Sequence, residues 1–136
     1  MIINEPEIAA AAQKVVKKLW GTEFWMTNND LYCLKFLKVN PGFQSSIHAH
    51  AIKDETFLGW SGTAQLNLYD SRGNPLLDNR NLPLVIAIHP GVQHRLVPEQ
   101  FHSFQAVNEA WVLEISTRHS DKDVIRLQES RKLVIE

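Results

Sequence analysis

Apolar and polar side chains alternate with a period of two between Ala64 and Tyr69, where Ala64, Leu66 and Leu68 interleave with Gln65, Asn67 and Tyr69. Successive strand residues point to opposite faces, so this run reads as a strand with one buried face. Further short strand-like runs occur at 32–39, 46–51, 55–60, 84–88, 94–97, 102–107 and 111–116. Turn-forming clusters separate them: Asn40-Pro41-Gly42, Ser61-Gly62, the stretch from Asp70 to Pro75, and Pro90-Gly91. Many short strands with frequent turns predict an all-β sandwich or barrel.

The N-terminal region has a different period. Ile8, Ala12, Val15 and Leu19 recur at helical spacing, Asn4 can cap, Pro6 suits a first turn, and Glu5 and Glu7 favour the positive helix end. Lys14, Lys17 and Lys18 load the opposite face and the last turn, and Gly21 follows as a stop. These signals predict a short N-terminal helix over 5–19, packed on the outside of a sheet.

Composition narrows the class without naming a function. The chain has 136 residues with 44% hydrophobic and 21% charged side chains, which suits one globular domain over 1–136, its barrel at about 25–117 and a polar tail at 118–136. A net charge of -1 gives no long-range pull toward nucleic acid or anionic lipid. Cys33 is the only cysteine and has no intramolecular disulfide partner. The first residues lack the basic and apolar regions of a secretory leader, and no apolar run reaches membrane-spanning length, so a cytoplasmic location is expected.

The candidate chemistry is concentrated at 42–62, GFQSSIHAHAIKDETFLGWSG. His48 and His50 stand two apart on a strand and project to one face, while Ile47 and Ala49 project to the other. A bend around Lys53 and Asp54 would return Glu55 beside the histidines. Two imidazoles and a carboxylate on one side of a sheet suit a borderline divalent metal.

The glycines at 42 and 62, with His48, His50 and Glu55 between them at fixed offsets, resemble the first signature motif of the cupin superfamily. That resemblance implies a double-stranded β-helix (cupin, jelly-roll) barrel with a metal inside, and a second motif whose histidine is the fourth ligand. His102 is the preferred candidate, with Gly91 opening the motif and Glu99 standing where a glycine is customary; His94, after Pro90-Gly91, is its rival. The implied metal set is His48, His50, Glu55 and His102, holding a divalent transition metal (Zn, Mn, Fe, Ni or Co). The other reading of the four side chains is a barrel with vestigial ligands.

Lys18-Leu19-Trp20-Gly21, the run from His48 to Glu55, and the ending from Glu114 to Arg126 are similar to lyxose-isomerase-like and mannose-6-phosphate-isomerase-like cupins. The resemblance implies a sugar or sugar phosphate as the small-molecule partner. The reaction implied is aldose–ketose isomerisation through a metal-stabilised enediol, with a homodimer as the assembly. Lys53 and Glu114 are the candidate catalytic residues; a lysine near a cation and partly desolvated should have a lowered pKa. His119 reads as part of the polar tail. The alternatives are an Fe- or Ni-dependent dioxygenase, since the same three-histidine, one-glutamate set fits O₂ activation, and a non-catalytic binding cupin.

Overall fold

The computed structural model describes residues 3–133. Among the described residues helix α1 (Glu5–Ala11) is followed by thirteen strands, which form two antiparallel sheets. The first sheet contains β1 (Lys14–Lys18), β2 (Gly21–Asn28), β3 (Cys33–Val39), β6 (Glu55–Ser61), β9 (Gln93–Leu96) and β11 (Ala110–Ser116), in the order β1-β2-β3-β11-β6-β9. The second contains β4 (Phe43–Gln44), β5 (Ile47–His50), β7 (Ala64–Tyr69), β8 (Val85–Ile88), β10 (Phe101–Ala106), β12 (Val124–Gln128) and β13 (Arg131–Lys132). In that sheet β10 lies between β7 and the broken strand β4–β5, and β12 and β13 close the far side.

The inner faces meet in one core. Leu37, Val39, Phe57 and Val112 come from the first sheet, and Leu66, Leu68 and Phe104 from the second. Full burial of such a side chain contributes about 1.5–3 kcal/mol. Trp20 packs edge-on against Phe104 at 4.7 Å between ring centroids, so this tryptophan belongs to the core. Gly42 and Gly62 both have left-handed backbone (φ 92 and 66), a conformation that glycine adopts without a Cβ penalty. They punctuate the ends of the β4–β6 segment. Among the described residues no helix is long and apolar enough to cross a membrane.

Two predicted elements take other forms. The helix stops at Ala11, with Ala12 already extended, and residues 14–18 form β1 instead of continuing to 19. The cause is tertiary. β1 pairs residue for residue with β2, satisfying the backbone in a ladder, and the adjacent β-branched Val15 and Val16 suit a strand better than a helix. Gly21 ends the connecting hairpin so close to β3 that a Cβ there would collide with the Lys38 carbonyl oxygen.

The C-terminal segment, read as a polar tail after the barrel, contributes two strands to the second sheet. A 3-10 turn at Asp121–Asp123 leads into β12, which pairs with β5 through Val124–His50 and Arg126–His48. Its sequence is polar because one side faces water, while its backbone covers what would otherwise be an open sheet edge.

Candidate metal centre

The register of β5 and β10 sets the site. His102 is the direct cross-strand partner of His48, and His50 follows two residues along the same face. Ligand nitrogens of the three rings all lie within 4.8 Å of one another. Glu55 opens β6 on the opposite sheet. Its Oε2 is 3.2 Å from Nε2 of His50, and its Oε1 is 3.9 Å from Nε2 of His102. Nitrogen donors from one sheet and a carboxyl from the other therefore meet inside the barrel.

The second nitrogen of each ring fixes what the first can do. Nδ1 of His48 lies 3.0 Å from the Ser46 carbonyl oxygen, and Nδ1 of His102 lies 2.9 Å from that of Gln100. A carbonyl only accepts, so the His102 ring carries its proton on Nδ1 and presents a bare lone pair at Nε2, while Nδ1 of His48 also meets the Ser46 hydroxyl at 2.9 Å, a group able to donate or accept. Nε2 of His102 is buried without a hydrogen-bond partner. An unpaired buried acceptor is costly, and a cation among these rings would satisfy it. The residues present thus fit a divalent metal.

Electrostatics agree with neutral imidazoles. Burial pushes His102 down to about 4 and His50 down to about 3, the latter helped by the nearby Lys53 ammonium. His48 is also held well below its ordinary value, by burial and then by the other two histidines. Metal ligation needs the neutral ring, so these environments favour it near neutral pH.

Around the histidines lies a set of buried charges. Lys35, Lys53 and Glu55 are 1%, 2% and 3% exposed, which excludes an ordinary surface role for any of them. Lys53 Nζ is 2.7 Å from Glu114 Oε2, and Lys35 Nζ is 3.8 Å from the same oxygen. Lys35 also lies 3.7 Å from Glu23 and 4.1 Å from the centre of the Trp25 ring. These side chains, with His48 and His50, face a cavity of about 320 Å³.

Comparison with solved structures identifies the architecture. KdgF from Halomonas sp. is similar over 81% of this chain and 92% of its own, with a TM-score of 0.64 and 12% identity. An uncharacterized conserved protein with a double-stranded β-helix domain, from Klebsiella pneumoniae, is similar over 90% of this chain and 95% of its own, with a TM-score of 0.64 and 11% identity. The chain has the cupin fold. Oxalate decarboxylase of Bacillus subtilis, in a structure concerned with its Mn(II) centres, has a TM-score of 0.64 and 15% identity over 85% of this chain, which spans only 30% of that protein's length. No protein-family model and no curated protein sequence matches the chain.

Within the cupin barrel the sequence-nominated residues separate. His48, His50 and His102 form one cluster with Glu55 beside His50 and His102, whereas His94 sits on β9 opposite Phe57, outside it. Glu99 takes the left-handed conformation (φ 70) at the position where the cupin motif customarily has glycine, and its N–H donates to the His50 carbonyl oxygen at 2.7 Å. The turn keeps its shape although the residue does not suit it.

Lys53 does not have the lowered pKa expected of it. Burial acts in that direction, but Glu114 and Glu55 outweigh burial and raise it above the ordinary lysine value, so it is an ammonium. Burial alone would raise Glu114, and Lys53 with Lys35 reverses this and holds it ionised.

His119 was not legible as a site residue. It lines the cavity, packs edge-on against Trp25 at 4.6 Å, and accepts at Nδ1 from Lys35 (3.1 Å) and Lys53 (3.2 Å) while its Nε2 donates to Asp121 at 2.9 Å. Its only sequence signal was the likeness of the whole ending to sugar-isomerase cupins.

Proposed function

We propose that the chain is a metal-dependent cupin that binds a sugar or sugar phosphate and interconverts its aldose and ketose forms. The observation that carries this reading is a cluster of three histidines with Glu55 beside two of them, next to a buried ammonium–carboxylate pair, at a cavity of about 320 Å³ that His48, His50, Glu55, Lys53 and Glu114 line. That volume is of small-molecule size. His48, His50, Glu55 and His102 would hold a divalent transition metal, which supplies Lewis-acid polarisation of a carbonyl oxygen.

Lys53 and Glu114 then move the protons. Glu114, ionised beside two ammonium groups, accepts the proton from the carbon next to the carbonyl, and Lys53 donates one to the carbonyl oxygen, leaving an enediol. Each group makes the other competent. Glu114 is a weak base while Lys53 is charged, and it becomes a stronger one as the lysine gives up its proton. Glu114 then gives its proton to the other carbon while the second enediol hydroxyl returns a proton to neutral Lys53, which forms the new carbonyl and restores both groups.

The test is solvent exchange. Metal-loaded protein in D₂O should place deuterium at C2 of some aldose or aldose phosphate, and Glu114→Gln should abolish it. Tight sugar binding with no exchange across pentoses, hexoses and their phosphates would leave a binding cupin.

The same reading includes a homodimer. Leu34, Phe36, Leu58, Leu113 and Ile115 are neighbours in register on the outer face of the first sheet, and Ile115 is 46% exposed. An apolar stripe of this kind supports coverage by a second copy.

A further inference from the structure

His50 is the one imidazole of the three whose Nδ1 is not fixed by a backbone carbonyl. That atom is buried and has no hydrogen-bond partner, and 3.8 Å from it lies Oδ2 of Asp123. Asp123 reaches the site from the C-terminal segment, and its side chain is 8% exposed. Its carboxylate accepts the backbone N–H of Ile52 at Oδ1 (2.7 Å) and of Lys53 at Oδ2 (2.9 Å), and its carbonyl oxygen accepts that of Ala51 (3.0 Å). Three consecutive amides immediately after His50 therefore end on one residue seventy positions away.

We propose that Asp123 is a positioning residue of the metal centre: it clamps the turn between His50 and Glu55 and selects the His50 tautomer that offers Nε2 to a cation. The inference rests on the metal reading given above. The physical reason is electrostatic. A carboxylate facing Nδ1 favours the proton there, against the pull of the Glu55 carboxyl 3.2 Å from Nε2, and so helps free the Nε2 lone pair for a cation. Carboxylates placed behind a ligand histidine in this way orient the ring and raise its basicity. The clamp also ties the spacing of His50 and Glu55, on opposite sheets, to a segment that neither strand contains. The C-terminal segment is thereby a required component of the site and not a surface extension.

Asp123→Asn is the informative variant, with Thr117→Val as control, because Thr117 Oγ1 accepts the Asp54 N–H in the same turn (3.1 Å) without facing a ligand. Two readouts are needed: Zn(II) and Co(II) affinity by competition with a chromophoric chelator, and the His50 tautomer in metal-free protein by ¹⁵N NMR. Asp123→Asn should weaken both metals by about 10–100-fold and shift the Co(II) d–d spectrum. It should also move His50 away from the Nδ1–H tautomer. Thr117→Val should lower thermal stability and leave both readouts at wild-type values. Wild-type affinity and tautomer in Asp123→Asn, with stability alone reduced, would overturn the proposal and leave the metal reading intact. A wild-type protein that binds neither metal overturns both.

Discussion

His48 and His102 face each other directly across the β5–β10 ladder, with ring centroids 4.5 Å apart. Because both rings turn Nδ1 toward a backbone carbonyl, the ladder register aims the two Nε2 atoms into the same space. Removing either ring should cost the ion. His102→Ala is expected to lose bound metal in inductively coupled plasma mass spectrometry, whereas His94→Ala should retain it. Saturating metal at a hundred times its Kd should stabilise the wild type by about 2.7 kcal/mol, a thermal shift absent from His102→Ala.

Acid should weaken the metal-free protein. The folded pKa values of His50 and His102 lie near 3 and 4, against an ordinary 6.5, and His48 is shifted the same way. The unfolded chain binds these protons first, so stability is lost as pH falls from 6.5 through the folded values. Glu55 opposes this. Burial and then Glu114 raise its carboxyl above the ordinary 4.5, so its contribution is present below that value and lost as pH rises. Three imidazoles against one carboxyl give a net gain in stability from pH 4 to 6.5. Chemical denaturation of metal-free protein across that range checks the sign, and a flat or falling profile would contradict it.

The Lys53–Glu114 pair is buried and closely spaced, so breaking it from one side leaves an unsatisfied charge inside the barrel. Lys53→Met should destabilise the fold by about 3–5 kcal/mol. The double variant Lys53→Met/Glu114→Leu should recover part of that loss, and urea melts of all four combinations measure the coupling. Simple additivity would mean that the pair does not act as a unit.

Glu99 offers a gain. Its left-handed backbone suits glycine, and β-carbon strain of this kind costs roughly 1–2 kcal/mol. Glycine returns part of the gain through a more flexible unfolded chain. Glu99→Gly should therefore raise the unfolding free energy modestly, by up to about 1 kcal/mol. A loss of stability would show that the Glu99 side chain contributes more than its backbone conformation costs.

A charge in the outer apolar stripe should dissociate the proposed dimer. Leu113 lies between Phe36 and Leu58 in that stripe. Light scattering should give a dimer mass for the wild type and a monomer mass for Leu113→Lys, with the barrel's circular dichroism unchanged. A monomeric wild type would remove the assembly from the proposal.

Local pattern was sufficient for the strands that carry His48, Glu55, Leu66 and His102, because period-two burial and turn residues are short-range signals. The likeness to the cupin motif likewise needed only residues between Gly42 and Gly62. Where a competing local preference existed, the chain's neighbours decided. Residues 14–18 could follow helical spacing until β2 supplied a complete hydrogen-bonding ladder. Lys35 reads as one more charge in a strand, yet the register that sets it beside Glu114 and Trp25 places it inside the barrel. His119 and Asp123 reach the site over sequence separations of 66 to 71, at Lys53 and the turn before it. Sequence spacing specifies which side chains share a face of one strand. Only closure of the two sheets determines which charges meet across the interior, and hence that Lys53 is an ammonium and not a free base.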